Sequence, residues 1–381
     1  MESRRADIKT VHVTEVRVIT SLGDSLEATW DAAMKGKRGM GPIGRFSAEA
    51  YEGQIAALIN DLVWTSERSI IDELLNRLLS GKQSIPSDTA LITATTKLGI
   101  DNLERRRRGE SVRVRDILPS SMPEMVSTKL GISKRGFNIS ASCASSTIAI
   151  AEASAMIATG MTEAVLICCA DVITEFIFSG FSALKIVSPS PCRPFDRDRN
   201  GITLGDGAAM LLLMSEDRAK KERRPSLAVV RGWGVANDAF HITSPVKDGS
   251  GLVAAISKAI RRAGLTADDI PAISAHGTGT TYNDLMELKA FNQVFGERKM
   301  PAYSIKGSIG HTLGAAGGIE VALATKALEE QIIPPTVGFE NPEEGAEGLI
   351  SSKPASFKGN YMLTSNSGFG GINATIILEK A

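Results

Sequence analysis

Residues 164–170, AVLICCA, carry no polar face, so a strand built from them must be covered on both sides. The preceding stretch supplies one of those covers. Within residues 138–160, NISASCASSTIAIAEASAMIATG, positions 144–159 are almost all Ala, Ser, Ile, Met or Thr, and Glu152 is the only charge. This composition predicts one helix buried on nearly every side. Residues 137–142 read as a short strand entering it. Strand, buried helix and buried strand in succession specify an α/β unit on a parallel sheet, with Cys143 at the mouth of the helix.

The same layout returns later. Residues 303–318, YSIKGSIGHTLGAAGG, lead into a helix expected over 319–328, and His311 stands ahead of it as Cys143 stands ahead of the first. Two halves of like pattern indicate internal duplication. The charged break at 216–224, closed by Pro225, is the one composition shift that reads as a junction, dividing the chain into 1–224 and 225–381. In the first half we expect a strand over 11–20, a helix over 25–35, a Gly-rich turn over 36–44, mostly helix from there to Gly81, and a strand over 90–96. Past the turn at Gly205 comes another apolar strand. The second half should hold a strand over 227–235, a helix over 252–263, a strand end at 273–276, a helix over 284–295, a Gly turn at 368–371 and a strand over 374–378.

Composition bounds what such a fold serves. The 43 basic and 43 acidic residues cancel, so no overall field argues for nucleic acid or an anionic membrane. No apolar run approaches the ~20 residues that span a bilayer, and the N-terminal MESRRADIKTVHV lacks an apolar core and a cleavage site. The four cysteines fit neither a disulfide framework nor a CxxC metal site. The expectation is a soluble cytoplasmic protein without metal or cofactor.

Several groups bear chemistry. At a helix mouth, Cys143 meets unpaired N–H groups and the positive end of the dipole, which lowers a thiol pKa from ~8.5 toward or below ~7. Equally, a cysteine there can be a packed small hydrophobe; the stretch alone leaves both readings open. Cys168 and Cys169 lie inside the apolar strand and read as structural, and Cys192 as incidental. His276 and His311 lie in Gly/Thr/Ser-rich turns at strand ends, where side chains project from a sheet edge into a cleft; His12 and His241 have no such setting. A thiolate with two imidazoles suits acyl transfer followed by carbon–carbon bond formation, the cysteine holding the acyl group and neutral imidazoles donating N–H bonds to an enolate. The basic run Arg105, Arg106, Arg107 and Arg108, with Arg113 and Arg115, is either a solvated helix face or a dock for an acidic partner.

Taken together, NISASCASS, SAHGTGTTYNDLMELKA, SIKGSIGHTLGAAGGIE and SNSGFGGINA resemble the β-ketoacyl-acyl-carrier-protein synthases, the condensing enzymes of fatty acid and polyketide synthesis. With PFDRDRNGITLGDGAA the resemblance runs from about Val11 to the C-terminus, and HGTGT with GHxxGAAG marks the Cys-His-His branch. It implies the thiolase-like fold, a five-layered α-β-α-β-α arrangement of two duplicated halves. It also implies a homodimer, or a heterodimer with a ketosynthase-like subunit, acting on malonyl and acyl groups carried by acyl carrier protein. Cys143 matches the family's nucleophile, and His276 and His311 the pair that binds the extender thioester and promotes loss of carbon dioxide. Lys306 matches a lysine supporting the second histidine, Glu320 its acidic partner, and Asp284 and Glu287 acidic positions that order the site. The backbone N–H groups of Cys143 and Phe369 match the oxyanion hole. For the Arg105–Arg108 cluster, the resemblance sets docking of an acidic carrier protein level with the solvated-face reading.

This chain also departs from the family's pattern. Ile202 replaces an aromatic commonly found in RDGFV, one Phe of SFGFGG is missing from residues 367–371, and GEG is replaced by Gly205-Asp206-Gly207. The acyl pocket, with Ile202 and Phe369 on its wall, is therefore expected to take a bulkier, stiffer or more unsaturated chain. Residues 52–89 are fewer than the family usually has. A thiolase would need a second cysteine near its C-terminus, and none follows Cys192. A silent partner subunit would lack the nucleophile.

Overall fold

The computed structural model describes residues 8–65, 68–81 and 85–381. The N-terminal reading at residues 1–7, and the first two positions of the helical run at 66–67, lie outside them.

Strands β1 (Val11–Thr20), β2 (Gly41–Pro42), β3 (Ile55–Ala56), β4 (Ala90–Ala94), β5 (Phe137–Ile139), β6 (Ala164–Asp171) and β7 (Gly207–Ser215) belong to the first half. The second holds β8 (Ala228–Asn237), β9 (Ile273–Ser274), β10 (Ala302–Tyr303), β11 (Ile332–Ile333), β12 (Ala355–Ser356), β13 (Tyr361–Gly368) and β14 (Ile372–Lys380). Ten of these form one sheet in the order β10-β9-β13-β14-β8-β1-β7-β6-β4-β5. The join between β1 and β8 is only two residue pairs, His12 with Val229 and Val13 with Ala228. Numbering the five sheet strands of each half in chain order, both read 3-2-4-5-1 from the outer edge inward, a repeated topology that pattern alone had indicated. The two short ribbons, β2 with β3 and β11 with β12, stand apart from the sheet.

The helices are α1 (Leu26–Met34), α2 (Ile70–Leu78), α3 (Ile100–Arg107), α4 (Met122–Leu130), α5 (Ser145–Ala158), α6 (Glu175–Ala183), α7 (Glu216–Lys221), α8 (Ser250–Ala263), α9 (Thr281–Phe295), α10 (Lys306–Ile309) and α11 (Ala316–Glu330). Their core contacts define the layers. The inner faces of both halves of the sheet share one apolar cluster with α5 and α11. The outer face of the first half packs on α2 and α4, and that of the second on α8 and α9. The result is α-β-α-β-α.

The reason α5 and α11 are written in small residues is visible at Gly317: a Cβ there would fall on the Thr147 hydroxyl of α5. Such close approach needs positions without side chains. β6 pairs in parallel with β4 and is buried along its whole length, as expected, but pairs antiparallel with β7. The sheet is therefore mixed.

The expectation of a mostly helical stretch here is corrected: among the described residues from 45 to 81, only Ile70–Leu78 forms a helix. An ion pair organises this segment instead. Arg45 grips Asp206 at 2.6 and 2.9 Å, and Asp206 also accepts from the Ile59 and Ile173 amides. That tethers the segment to the turn before β7, beside a single backbone bridge in which the Ala57 amide donates to the Leu204 carbonyl at 2.8 Å and the Asp206 amide to the Ala57 carbonyl at 3.0 Å. The basic run likewise ends its helix at Arg107, so Arg113 lies outside it and Arg115 falls in a 3-10 turn.

Candidate active site

β5 delivers the chain to Cys143 through a strained turn. Ser142 has a positive φ of 50°, a backbone state costly for a residue with a Cβ, and its hydroxyl donates to the Phe369 carbonyl at 3.0 Å. Across it runs the glycine turn after β13, where a Cβ at Gly368 would lie 3.2 Å from the Cys143 nitrogen. Cys143 is buried, one residue before the N-cap of α5. Here the expectation of a lowered thiol pKa is corrected: burial pushes the thiol up to about 12, against the opposing charge of Lys306. Complete desolvation of a thiolate outweighs one helix end. Cys143 thus enters a reaction as a neutral thiol.

His276 follows β9. Its main-chain N–H and that of Gly277 each donate to the Glu287 carboxylate at 2.7 Å, while Asp284 receives the amides of Thr278 at 3.0 Å and Phe195 at 2.7 Å. Both carboxylates come from the first turns of α9 and shape the His276 turn. Burial first, then the Asp284 charge, pushes Glu287 up to about 8. On the imidazole, Nδ1 faces two donors, the Lys306 ammonium at 3.2 Å and the Asn366 amide at 3.0 Å. An atom facing only donors must accept, so the ring proton sits on Nε2.

Lys306 also donates to the His276 carbonyl at 2.7 Å and to Glu320 at 2.5 Å, and Asn366 donates to the other Glu320 oxygen at 2.7 Å. Lys306, Glu320 and Asn366 are all fully buried. This corrects the role implied for Lys306: its ammonium touches the first histidine, His276. His311 is held otherwise, with its Nδ1 accepting from the Leu313 amide at 3.3 Å across a second positive φ, 51° at Leu313. Its proton too belongs on Nε2, which stands 2.9 Å from the Cys143 sulfur. The two rings meet edge to face, 5.2 Å apart.

Burial, then Lys306, holds both imidazoles well below their ordinary pKa of 6.5. They are neutral, and both Nε2–H groups point into the space beside the sulfur. Cys143, His276 and His311 present ligand atoms within 4.8 Å of one another, a spacing that would suit a soft metal. The tautomers do not. Binding through Nε2 of His276 would move its proton to Nδ1, against the Lys306 ammonium and the Asn366 amide.

The cleft above these groups has a volume of about 270 Å³ and is lined by Phe181, Ile202, Phe369, Thr278 and Thr280. Phe181, from α6, stacks on Phe369 with centroids 5.8 Å apart, so part of the space left at Ile202 lies beside an aromatic pair. Sequence reasoning passed over Phe181 and Asn366. A polar residue in an otherwise buried strand was the available signal for Asn366.

The basic run divides. Arg105 is buried, bound to Glu110 at 2.8 Å and to the Thr65 carbonyl at 2.8 Å, because it shares the inward face of α3 with Asp101, one turn away. It is therefore withdrawn from any docking surface. Arg106, Arg107 and Arg108 are exposed, and Arg108 reaches Glu175 at the start of α6 at 3.1 Å.

Comparison with known proteins agrees with this geometry. The family model described as "Beta-ketoacyl synthase, N-terminal domain" matches residues 77–219, and "Beta-ketoacyl synthase, C-terminal domain" matches residues 227–340. The 3-oxoacyl-[acyl-carrier-protein] synthase 2 of Vibrio harveyi is 30% identical, over 97% of this chain and 98% of its own. The enzyme of the same name from Coxiella burnetii is 28% identical, over 100% and 99%. Among solved structures, a beta-ketoacyl synthase from Burkholderia phymatum superposes with a TM-score of 0.88 at 26% identity, covering 98% of this chain and 100% of that one. A ketosynthase in complex with its chain length factor, from Xenorhabdus doucetiae, gives 0.85 at 28%, covering 98% of each.

Proposed function

The chain belongs to the beta-ketoacyl synthase family, and we propose on that footing that it condenses an acyl group held on Cys143 with malonyl carried by acyl carrier protein, releasing carbon dioxide. The observation that carries this is the joint placement of one buried thiol and two Nε2–H donors in a single cleft.

In the first step the Cys143 sulfur attacks an acyl thioester. The bond from the acyl carbon to the carrier's sulfur breaks, and that sulfur leaves with the proton the Cys143 thiol gives up. Nε2–H of His311, donating to the Cys143 sulfur, favours the charge that develops there. The main-chain N–H groups of Cys143 and Phe369 take the oxyanion. In the second step the malonyl thioester places its carbonyl oxygen against the Nε2–H groups of His276 and His311. Cleavage of the bond to the carboxylate releases carbon dioxide and leaves its electron pair as an enolate, which both imidazoles stabilise. One such donor is worth about 3 kcal/mol, or ~10²-fold in rate. The enolate carbon then attacks the Cys143-bound carbonyl, and Cys143 departs as a thiolate that takes a proton from solvent.

One division and two surfaces complete the reading. The duplicated halves divide near residue 224. β5 ends the sheet with Phe137 45% exposed, an unpaired edge that a second chain can extend; that chain is another copy or a related subunit of the chain-length-factor kind. Arg106, Arg107 and Arg108 sit beside α6, whose other end supplies Phe181 to the cleft, so an acidic carrier protein docked there is next to the entrance. No helix among the described residues is long and apolar enough to cross a membrane.

Purified protein, alone and co-expressed with a related subunit, should form a 3-ketoacyl product from malonyl- and acyl-carrier protein by mass spectrometry, and Cys143→Ala should form none. Normal condensation by that variant would overturn the nucleophile assignment. Ile202→Phe, read by competition among primers, should shift preference toward slim saturated chains; an unchanged preference removes Ile202 from the selectivity argument. Charge reversal at Arg106 and Arg107 should slow carrier-bound substrates by roughly ten-fold or more while sparing small thioester mimics, with the gap closing in salt. Equal slowing of both substrate types would return these residues to a solvated face.

A further inference from the structure

Beneath the His276 network lies a set of groups that the reaction, as described, does not use. On the inner face of the second half, Tyr303, Ser274 and Thr364 are cross-strand neighbours on β10, β9 and β13: Tyr303 pairs with Ser274, and Ser274 with Thr364. All three are fully buried. Their hydroxyls have no hydrogen-bond partner among the described residues; Ser274 lies near the Tyr303 phenol without the geometry of a bond. The alternation of the strands fixes where they point. Ala302, Ile273 and Leu363 face the outer helices, whereas Tyr303 and Met362 face α11. Ser274 is two residues from His276 on that face, and Thr364 two residues from Asn366, a separation of about 6.6 Å. Glu320, which holds both Lys306 and Asn366, projects from the same helix into the same space.

Unsatisfied hydroxyls are costly in a protein interior, and three converging ones form a polar site of the kind an internal water fills, with two to four partners. We propose that Tyr303, Ser274 and Thr364 bind ordered water that continues the His276–Lys306–Glu320–Asn366 network into the sheet, making Tyr303 a positioning residue for His276. The inference rests on the reading above, in which decarboxylation uses both His276 and His311 while acyl transfer uses Cys143 and His311 without His276. The phenol and its water supply dipoles that favour the charged Glu320 carboxylate. That carboxylate holds the Lys306 ammonium aimed at Nδ1, which keeps the proton on Nε2. Removing the phenol weakens the second half-reaction and leaves the first intact. It also makes Glu320 easier to protonate, so the acid limb of decarboxylation moves to higher pH.

The test uses the full-length protein and the variant Tyr303→Phe, which keeps the ring. A high-resolution crystal structure of the parent should show water within hydrogen-bonding distance of at least two of the three hydroxyls. In the variant, malonyl decarboxylation should fall roughly three- to ten-fold, the effect of one buried hydrogen bond, with its acid limb displaced upward and Cys143 acylation unchanged. Three hydroxyls bonded to one another with no water between them would overturn the proposal. So would a variant with the parent's decarboxylation rate and pH profile, or one in which acylation and decarboxylation fall together. A parent enzyme that acylates Cys143 but never decarboxylates malonyl would instead refute the functional reading, and the crystallographic result separates the two failures.

Discussion

Everything at this site depends on one buried ion pair. Lys306 and Glu320 are each 1% exposed, and taking two such charges out of water costs several kcal/mol per ion before their attraction is counted. The remaining donors and acceptors around the pair offset that cost, since Lys306 also reaches the His276 carbonyl and ring while Glu320 also holds Asn366. The pair gives His276 a fixed tautomer. An ammonium and an amide on Nδ1 leave Nε2 no choice but to carry the proton, and burial, reinforced by the ammonium's charge, keeps both rings neutral. A catalyst that must hold an enolate without protonating it prematurely requires such neutral donors.

The fold brings these parts together by repetition. Each half passes through a residue strained into positive φ beside its reactive group, Ser142 just before Cys143 and Leu313 two residues after His311, and each leads into a helix of small residues. Because α5 and α11 are both small-faced, they pack closely enough to bring Cys143 and His311 within 2.9 Å. Asp171 ties the two mouths. Its buried carboxylate accepts from the Thr95 and Thr96 hydroxyls of the first half and from the Gly314 amide just ahead of α11, so the nucleophile's half and the histidines' half share a rigid seam.

The sequence made the layout legible where composition was extreme. The apolar strand 164–170 and the small-residue runs after Cys143 and after His311 had to be buried, and apart from Glu152 and a few flanking positions they are. Motif resemblance supplied Lys306, Asp284, Glu287 and Glu320, and the structure sets the two α9 carboxylates on the main chain of the His276 turn and Glu320 on Lys306. The sequence was opaque where burial competes with charge. Arg105 looked like its neighbours until helical phase turned it inward, and the thiol of Cys143 looked activated until full desolvation was weighed against one helix end. It was also opaque across 45–65, where the Arg45–Asp206 pair and a backbone bridge at Ala57, which no periodicity reports, fix the chain. Phe181 acts through a partner distant in sequence and no local pattern marks it, while Asn366 left only its polarity within a buried strand as a signal.

The account stands or falls on the protonation of the two imidazoles. Nitrogen-15 NMR of histidine-labelled protein, titrated from about pH 8 to about pH 6, distinguishes N–H, bare nitrogen and imidazolium for each ring. His276 and His311 should both remain neutral through the ordinary midpoint of 6.5, with the proton on Nε2 and Nδ1 bare. An imidazolium forming at either ring in that range, or a proton found on Nδ1 of His276, would contradict the arrangement from which the chemistry is derived.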